Sequence, residues 1–275
     1  MSPGATGRCA VLGQPVDHSL SPLIHRRAYE VLGIADGWSY GRHQVGEGGL
    51  AAFVAGLDVD WVGLSCTAPL KAETLLLGEA SETARILNSG NTVLLGRGDR
   101  PHRIENTDVT GFVGALSRSG VTSARTAVIG GNGATARSAL YALAQLGVDE
   151  VVVSARSAER AHASLDGLAA HLGISWQVAG WGEVPPGRFD VLVWTVSAPV
   201  PAAVAADLVG RTEVCFEATY NHYPTVFDRA AQTAGITQLS GLDLLVSQAR
   251  DQIRLMTGYD CPAEPLLEVV HAAVG

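Results

Sequence analysis

The chain of 275 residues has no run of about 18 or more apolar residues, and the opening stretch, Met1 to Gly7, has no basic segment leading into an apolar one. A membrane-spanning helix and a secretory leader are therefore not expected, and the sequence reads as cytoplasmic. Basic clusters are also missing. Nineteen Lys and Arg against 27 Asp and Glu give a net charge of -8, which makes nucleic acid a poor partner. Cysteine is sparse: Cys9, Cys66, Cys215 and Cys261 are far apart, with no CxxC pair, so a disulfide frame and a zinc site are both disfavoured. Each reads as a small buried hydrophobe, and no metal is expected. Internal repeats and low-complexity tracts are absent too.

What the chain does contain is apolar material for packed cores, 47% of its residues, in a length that suits two domains. Short apolar runs ending in Gly, Ser or Pro alternate with segments of helical period. That is the rhythm of an α/β protein, with parallel strands joined by crossover helices. Strands are expected at Cys9 to Leu12, Trp61 to Thr67 and Asn91 to Leu95, with helices starting near Pro22, Leu70 and Val109. A second series follows: strands at Ala127 to Gly130, Val151 to Ser154, Val191 to Thr195 and Val214 to Glu217, with a helix from the first of these to Leu146. Its opening is that of a doubly wound dinucleotide fold. The stretches Leu242 to Gly258 and Glu264 to Ala273 read as helices that pack back on the first domain.

Within Ala127-Val-Ile-Gly-Gly-Asn-Gly-Ala-Thr-Ala136 the window from Gly131 fits G-x-G-x-x-A after a strand and before a helix. Gly131 permits the tight turn, Gly133 lets main chain approach a diphosphate, and Ala136 lets helix and strand pack closely, while the helix N-terminus offers N–H groups to an anion. Asn132 and Ala134 complete the turn. The bland alternative is a strand-turn-helix that uses glycine for packing only. After the next strand, where an NAD enzyme carries Asp or Glu for the ribose hydroxyl, the chain has Arg156, Ser157 and Arg160. Guanidinium groups suit a 2′-phosphate, so the reading is NADP. The competing view is that these arginines are solvated charges at a helix start.

Four polar clusters lie outside this segment. In His18-Ser19-Leu-Ser21-Pro22, Ser21 reads as an N-cap with Gly33 as the helix stop, which leaves Ser19 to help seat a carboxylate. In Ser65-Cys-Thr67-Ala-Pro69-Leu-Lys71 the lysine falls in the first turn of the expected helix, where the dipole disfavours a cation, and a functional role is the better explanation. Asp108, in Asn106-Thr107-Asp108, reads as an N-cap of a helix running from Val109 to Ser119. Gln248 shares a helical stripe with Leu245, Ala249 and Met256, and a polar amide there needs a partner.

Taken together these residues resemble the shikimate dehydrogenase family over nearly the whole chain, from about Val11 to Gly258. The family's serine pair is matched by Ser19-Leu-Ser21, its T-x-P-x-K by Thr67-Ala-Pro-Leu-Lys71, its Asn-Thr turn by Asn91-Thr92, and its N-T-D by Asn106-Thr-Asp108. Its final G-x-x-x-L-x-x-Q-A is similar to Gly241-Leu-Asp-Leu-Leu-Val-Ser-Gln248-Ala249. The departures are Ala134 for a third glycine in the turn, Glu105 before Asn106, His222 after Tyr-Asn, and Met256 where an aromatic is common.

The resemblance implies reduction of 3-dehydroshikimate to shikimate with NADPH, in a cleft between a substrate domain (1–108 with 243–275) and a Rossmann domain (109–242). It implies Lys71 and Asp108 as the catalytic pair and Ser19 and Ser21 at the ring carboxylate. Thr67, Asn91 and Asp108 would meet the hydroxyls, and Gln248 and Tyr220 would also face the substrate. Thr195 and Gly241 would lie beside the cofactor. A monomer or homodimer with no macromolecular partner is expected. The alternatives are a quinate or aminoshikimate dehydrogenase of the same fold and a non-catalytic ligand-sensing Rossmann protein.

Overall fold

A computed structural model of the chain describes residues 6–220 and 224–274; His222 lies outside them. Two compact units separate, one formed by residues up to 107 together with 245–274, the other by 108–244.

The first unit runs β1 (Gly7–Gly13), α1 (Ser21–Val31), β2 (Trp38–Gln44), α2 (Leu50–Ala55), β3 (Trp61–Cys66), a 3₁₀ turn (Glu73–Leu76), β4 (Gly78–Ala80), α3 (Glu82–Ile86), β5 (Thr92–Leu94) and β6 (His102–Glu105). Its six strands order as β2-β1-β3-β5-β6-β4. β1 pairs in parallel with both β2 and β3, whereas β5 runs antiparallel to β3 and to β6. Ala10, Leu12, Leu64, Val93 and Ile104 are fully buried, because side chains on one face of each strand point into a single core.

The sequence pattern led to β1, β3 and β5 but not to β2, β4 and β6. β2 (WSYGRHQ) is an edge strand whose last three residues face solvent, so its apolar signal stops halfway along. β4 is three residues long and exposed.

The second unit runs α4 (Thr107–Arg118), β7 (Thr126–Gly130), α5 (Ala134–Gln145), β8 (Glu150–Ala155), α6 (Ala158–Leu172), β9 (Ser175–Gly180), β10 (Phe189–Trp194), α7 (Ala202–Gly210), β11 (Thr212–Glu217), α8 (Val226–Ala234) and β12 (Thr237–Leu239). The helix α9 (Gly241–Thr257) leads back into the first unit, and α10 (Glu264–Val274) packs on α1 there. The second sheet is parallel throughout, ordered β12-β11-β10-β7-β8-β9. Ala127 to Ile129 and Val191 to Val193 are completely buried, as strands covered on both faces must be, and their unbroken apolar runs made them legible. β9 and β12 were not expected; they close the two edges, and β9 (SWQVAG) has no residue that is fully buried. From β7 the chain winds outward through β8 and β9, then returns to β10 on the other side. That reversal opens a crevice at the carboxyl ends of β7 and β10, the place where such sheets bind ligands.

Candidate functional site

Topology gathers one set of polar residues in the first unit. β1 and β3 are parallel and finish at the same sheet edge, where antiparallel β5 begins and β6 ends, Thr92 lying opposite both Ser65 and Glu105. Ser19 and Ser21 follow β1, Thr67 and Lys71 follow β3, Asn91 precedes β5, and Asn106 and Thr107 follow β6, so all arrive at this edge. Main-chain bonds lock the loops together: Thr67 N–H to Leu12 O at 2.9 Å, Gln14 N–H to Ala68 O at 3.0 Å, Cys66 N–H to Asn91 O at 2.8 Å and Gly90 N–H to Lys71 O at 2.8 Å.

Three local expectations are corrected. Lys71 is not in an α-helix; it lies in a turn, and only the 3₁₀ turn from Glu73 follows. Its carbonyl accepts from Gly90 N–H and from Thr74 Oγ1 (2.9 Å), so bonds across the sheet edge replace those a helix would make, and the dipole argument for Lys71 falls away. At α1 the N-cap is Leu20 rather than Ser21. Ser19 Oγ accepts from Ser21 N–H at 3.3 Å, while Ser21 is itself the first helical residue and buried. Asp108 is likewise inside α4, one residue after its start at Thr107, where a carboxylate suits the positive end of the helix; it is 4% exposed.

Asn91 is held by a buried chain of hydrogen bonds that draws on β5, α4 and α9. Its Oδ1 accepts from Thr107 N–H (2.8 Å), Thr107 Oγ1 (3.2 Å) and Thr92 Oγ1 (2.9 Å), and its Nδ2 donates to Gln248 Oε1 at 2.8 Å. With the acceptor end so occupied, the amide polarity is fixed, and the amide nitrogens of Asn91 and Gln248 are the donating ends. Gln252, one turn after Gln248 on α9, supports this arrangement. It donates to Thr92 Oγ1 (3.0 Å) and accepts from Ser65 Oγ (2.9 Å), which in turn accepts from Tyr40 OH (2.6 Å). His25 stacks on Tyr40 at 3.8 Å. Among the described residues its ring nitrogens have no hydrogen-bond partner, and burial drives its pKa down to about 3, which the nearby Gln252 opposes only in part. Sequence reasoning missed Gln252. Its polar amide on a buried helical stripe carried the same signal as Gln248, four residues earlier.

In the second unit the strand ends deliver the other set to one edge. Gly131, Asn132, Gly133, Ala134, Arg156, Ser157, Arg160 and Thr195 all line a cavity of about 220 Å³, as do Thr135, Ala155, Trp181 and Val196. The two glycines of the turn differ in kind. Gly131 has φ +100°, and a Cβ there would stand 2.5 Å from Val196 Cγ2, so the fold itself requires glycine. Gly133 has an ordinary φ of -84°, and a Cβ would meet no atom of the described residues within 4 Å. Among the described residues nothing demands glycine at 133; a group lying against the main chain would.

Ser157 caps α6, accepting from Arg160 N–H at 3.2 Å, and the side chains of Arg156 and Arg160 are exposed. Thr195 Oγ1 donates to Gly130 O at 2.7 Å, tying β10 to the turn. Among the described residues lining the cavity none is acidic, whereas two are guanidinium groups and one wall is a helix N-terminus. This is a donor set that fits a dinucleotide bearing an extra phosphate, and NADP is the group it suits.

Two expected residues stand apart. Tyr220 follows β11, and burial raises its phenol above the ordinary value. Gly241 opens α9 with the main chain of Ala218 and Thr219 filling its side-chain space (Thr219 C at 2.7 Å), so packing accounts for the glycine. Trp181, just past β9, was missed because β9 itself was not read.

Comparison with known proteins points to one family. The family model for the shikimate dehydrogenase substrate binding domain matches residues 11–93. The NADP(+) shikimate dehydrogenase of Methanothrix thermoacetophila is 33% identical over 97% of each chain. Among solved structures, a shikimate 5-dehydrogenase from Mycobacterium fortuitum is 33% identical with a TM-score of 0.84, over 98% of this chain and 99% of that one. The shikimate 5-dehydrogenase of Thermus thermophilus, solved in complex with NADP(H) and shikimate, is 29% identical with a TM-score of 0.82, over 98% of this chain and all 100% of its own. With identity above 30% sustained over nearly the whole length of both chains, the chain belongs to the shikimate dehydrogenase family.

Proposed function

We propose that this chain is a cytoplasmic NADP-dependent shikimate dehydrogenase, acting as a monomer or homodimer and reducing 3-dehydroshikimate to shikimate reversibly. The observation that carries the reading is the assembly of Ser19, Ser21, Thr67, Lys71 and Asn91 on one sheet edge, in a chain whose glycine turn opens on an acid-free, arginine-flanked cavity.

NADPH, when bound, supplies the hydride for the ketone carbon. Gly131, Asn132, Gly133 and Ala134 hold its diphosphate through main-chain N–H groups at the start of α5; Arg156, Ser157 and Arg160 take the 2′-phosphate; Thr195 and Gly241 flank it further along. Ser19 and Ser21 hold the ring carboxylate through their hydroxyls, supported by the N-terminus of α1. Asn91 and Gln248 donate from their amide nitrogens to ring oxygens, and Thr67 and Asp108 complete the hydroxyl contacts. Tyr220 bounds the substrate.

At the reacting oxygen negative charge develops as the ketone is reduced. Lys71 stabilises that charge with its ammonium and then gives it the proton, and in the oxidative direction Lys71 accepts the proton from the hydroxyl. Asp108 is the carboxylate assigned to orient Lys71 and balance its charge. Every step except the hydride transfer is thus carried by side chains of this chain.

Quinate and aminoshikimate present the same carboxylate and much of the same hydroxyl pattern. Steady-state rates of the purified chain with shikimate, quinate and aminoshikimate, each with NADP, separate them. The highest kcat/KM for shikimate supports the proposal; a clear preference for another ring acid reassigns the substrate and leaves the chemistry in place.

A further inference from the structure

The acid-free cavity has three walls of different chemistry. One is the glycine turn with the N-terminus of α5, and the second holds Arg156 and Arg160. The third is Trp181, the one aromatic side chain among the described residues that line it. Trp181 follows β9, the strand beside β8, and β8 leads directly into Arg156.

The indole is braced from behind. Trp194, 1% exposed, packs on Trp181 with ring centroids 5.2 Å apart, and Phe227 backs Trp194 at 4.9 Å. A Cβ on Gly130 would come within 2.2 Å of the Trp194 ring, so Trp194 lies directly on the strand end that enters the glycine turn. An aromatic column therefore runs from the strand end to the cavity wall and fixes where Trp181 can sit.

In an adenosine 2′-phosphate the base is bonded to C1′, next to the C2′ that carries the phosphate. A 2′-phosphate at the arginines with a diphosphate at the turn leaves the base within one sugar ring of Arg156. Aromatic faces stack on every base, and the contact changes affinity by roughly 10- to 100-fold.

We propose that Trp181 is the platform on which this chain stacks the adenine of its cofactor. The inference rests on the NADP assignment above. It makes the Trp181 contribution independent of the 2′-phosphate, whereas that of Arg156 depends on it.

Calorimetric titration of the full chain with adenosine 2′,5′-bisphosphate and with 5′-AMP separates the two. Trp181→Ala is expected to weaken both ligands by a similar factor, roughly 10-fold or more. Arg156→Ala is expected to weaken the bisphosphate alone. Trp181→Phe, which keeps an aromatic face, is expected to stay within about threefold of wild type, and quenching of tryptophan emission by the bisphosphate should be largely lost in it. Unchanged affinity in Trp181→Ala, or unchanged quenching in Trp181→Phe, overturns the platform and leaves the NADP assignment intact. Failure of the wild-type chain to bind the bisphosphate overturns both. Should Trp181→Ala not fold, the quenching readout of Trp181→Phe decides alone.

Discussion

At the sheet edge of the first unit polar side chains hold one another, from Tyr40 through Ser65, Gln252 and Thr92 to Asn91 and Gln248, whereas around the glycine turn of the second unit the cavity is lined by main chain, exposed charge and the indole of Trp181. The first arrangement fixes donor and acceptor directions before any ligand arrives, which suits discrimination among hydroxylated ring acids. The second relies on backbone shape, which suits a diphosphate whose oxygens are alike. Damage in the first should therefore spread into folding stability, and damage in the second should be confined to affinity except where the turn itself needs glycine, at Gly131.

The largest effect is expected at Lys71. Lys71→Ala should lower kcat by roughly 10²- to 10⁴-fold with KM for shikimate little changed, as for loss of a group that acts in the transition state. A near-normal kcat would remove Lys71 from the proton-transfer role.

The two glycines of the turn sharpen the contrast within one loop. Gly133→Ala should leave the thermal midpoint unchanged, because no atom of the described residues stands in its way, while the Kd for NADP rises roughly tenfold or more. Gly131→Ala should cost about 1–3 kcal/mol in stability, since φ +100° strains any L side chain and Val196 blocks the Cβ. Thermal melts and NADP titrations on both variants check this; a destabilised Gly133→Ala with normal affinity would reverse the assignment.

Gln252→Leu tests the other side. It takes the acceptor from the Ser65 hydroxyl and the donor from Thr92 Oγ1 in a buried chain, so stability should fall by about 1–3 kcal/mol in urea titrations. The KM for shikimate should rise as the Asn91 amide loses its support, with Kd for NADP unmoved. A rise in the NADP Kd of similar size would show that the two networks are not separate.

The smallest effect is a pH dependence. Burial lowers the His25 pKa from 6.5 to about 3, so between these values the unfolded chain binds a proton that the folded chain does not. The contribution of His25 is fully present above its unfolded pKa and is lost as pH falls toward its folded one, with a slope of about 1.4 kcal/mol per pH unit at most. His25→Phe keeps a ring against Tyr40. It should reduce the loss of stability between pH 7.5 and 5.5 by about 1 kcal/mol in urea titrations; an identical loss in both proteins would mean that His25 is not the group responsible.

How much of this was legible in the sequence follows from how each signal arises. The central parallel strands β7, β8, β10 and β11 showed through as unbroken apolar runs, and the glycine turn through its spacing. Edge strands β2, β9 and β12 did not, because one side of each faces solvent or is polar. Ser19, Asn91 and Gln248 were found by motif, but what holds them was hidden. Gln252 is bonded to Thr92 and Ser65, 160 and 187 residues away, and no local pattern reports that. Lys71 was singled out on two grounds, a helix that does not form there and the match of Thr67-Ala-Pro-Leu-Lys71 to the family's T-x-P-x-K, and the structure removes the first. Trp181 went unnoticed with its strand.

The most direct measurement of the central claim is the appearance of reduced nicotinamide when the purified chain is given shikimate with NADP and, in parallel, with NAD. The account predicts turnover with NADP and a kcat/KM at least about tenfold lower with NAD, as two guanidinium groups and no carboxylate beside the ribose require. Equal or better use of NAD, or no turnover with either, would contradict it.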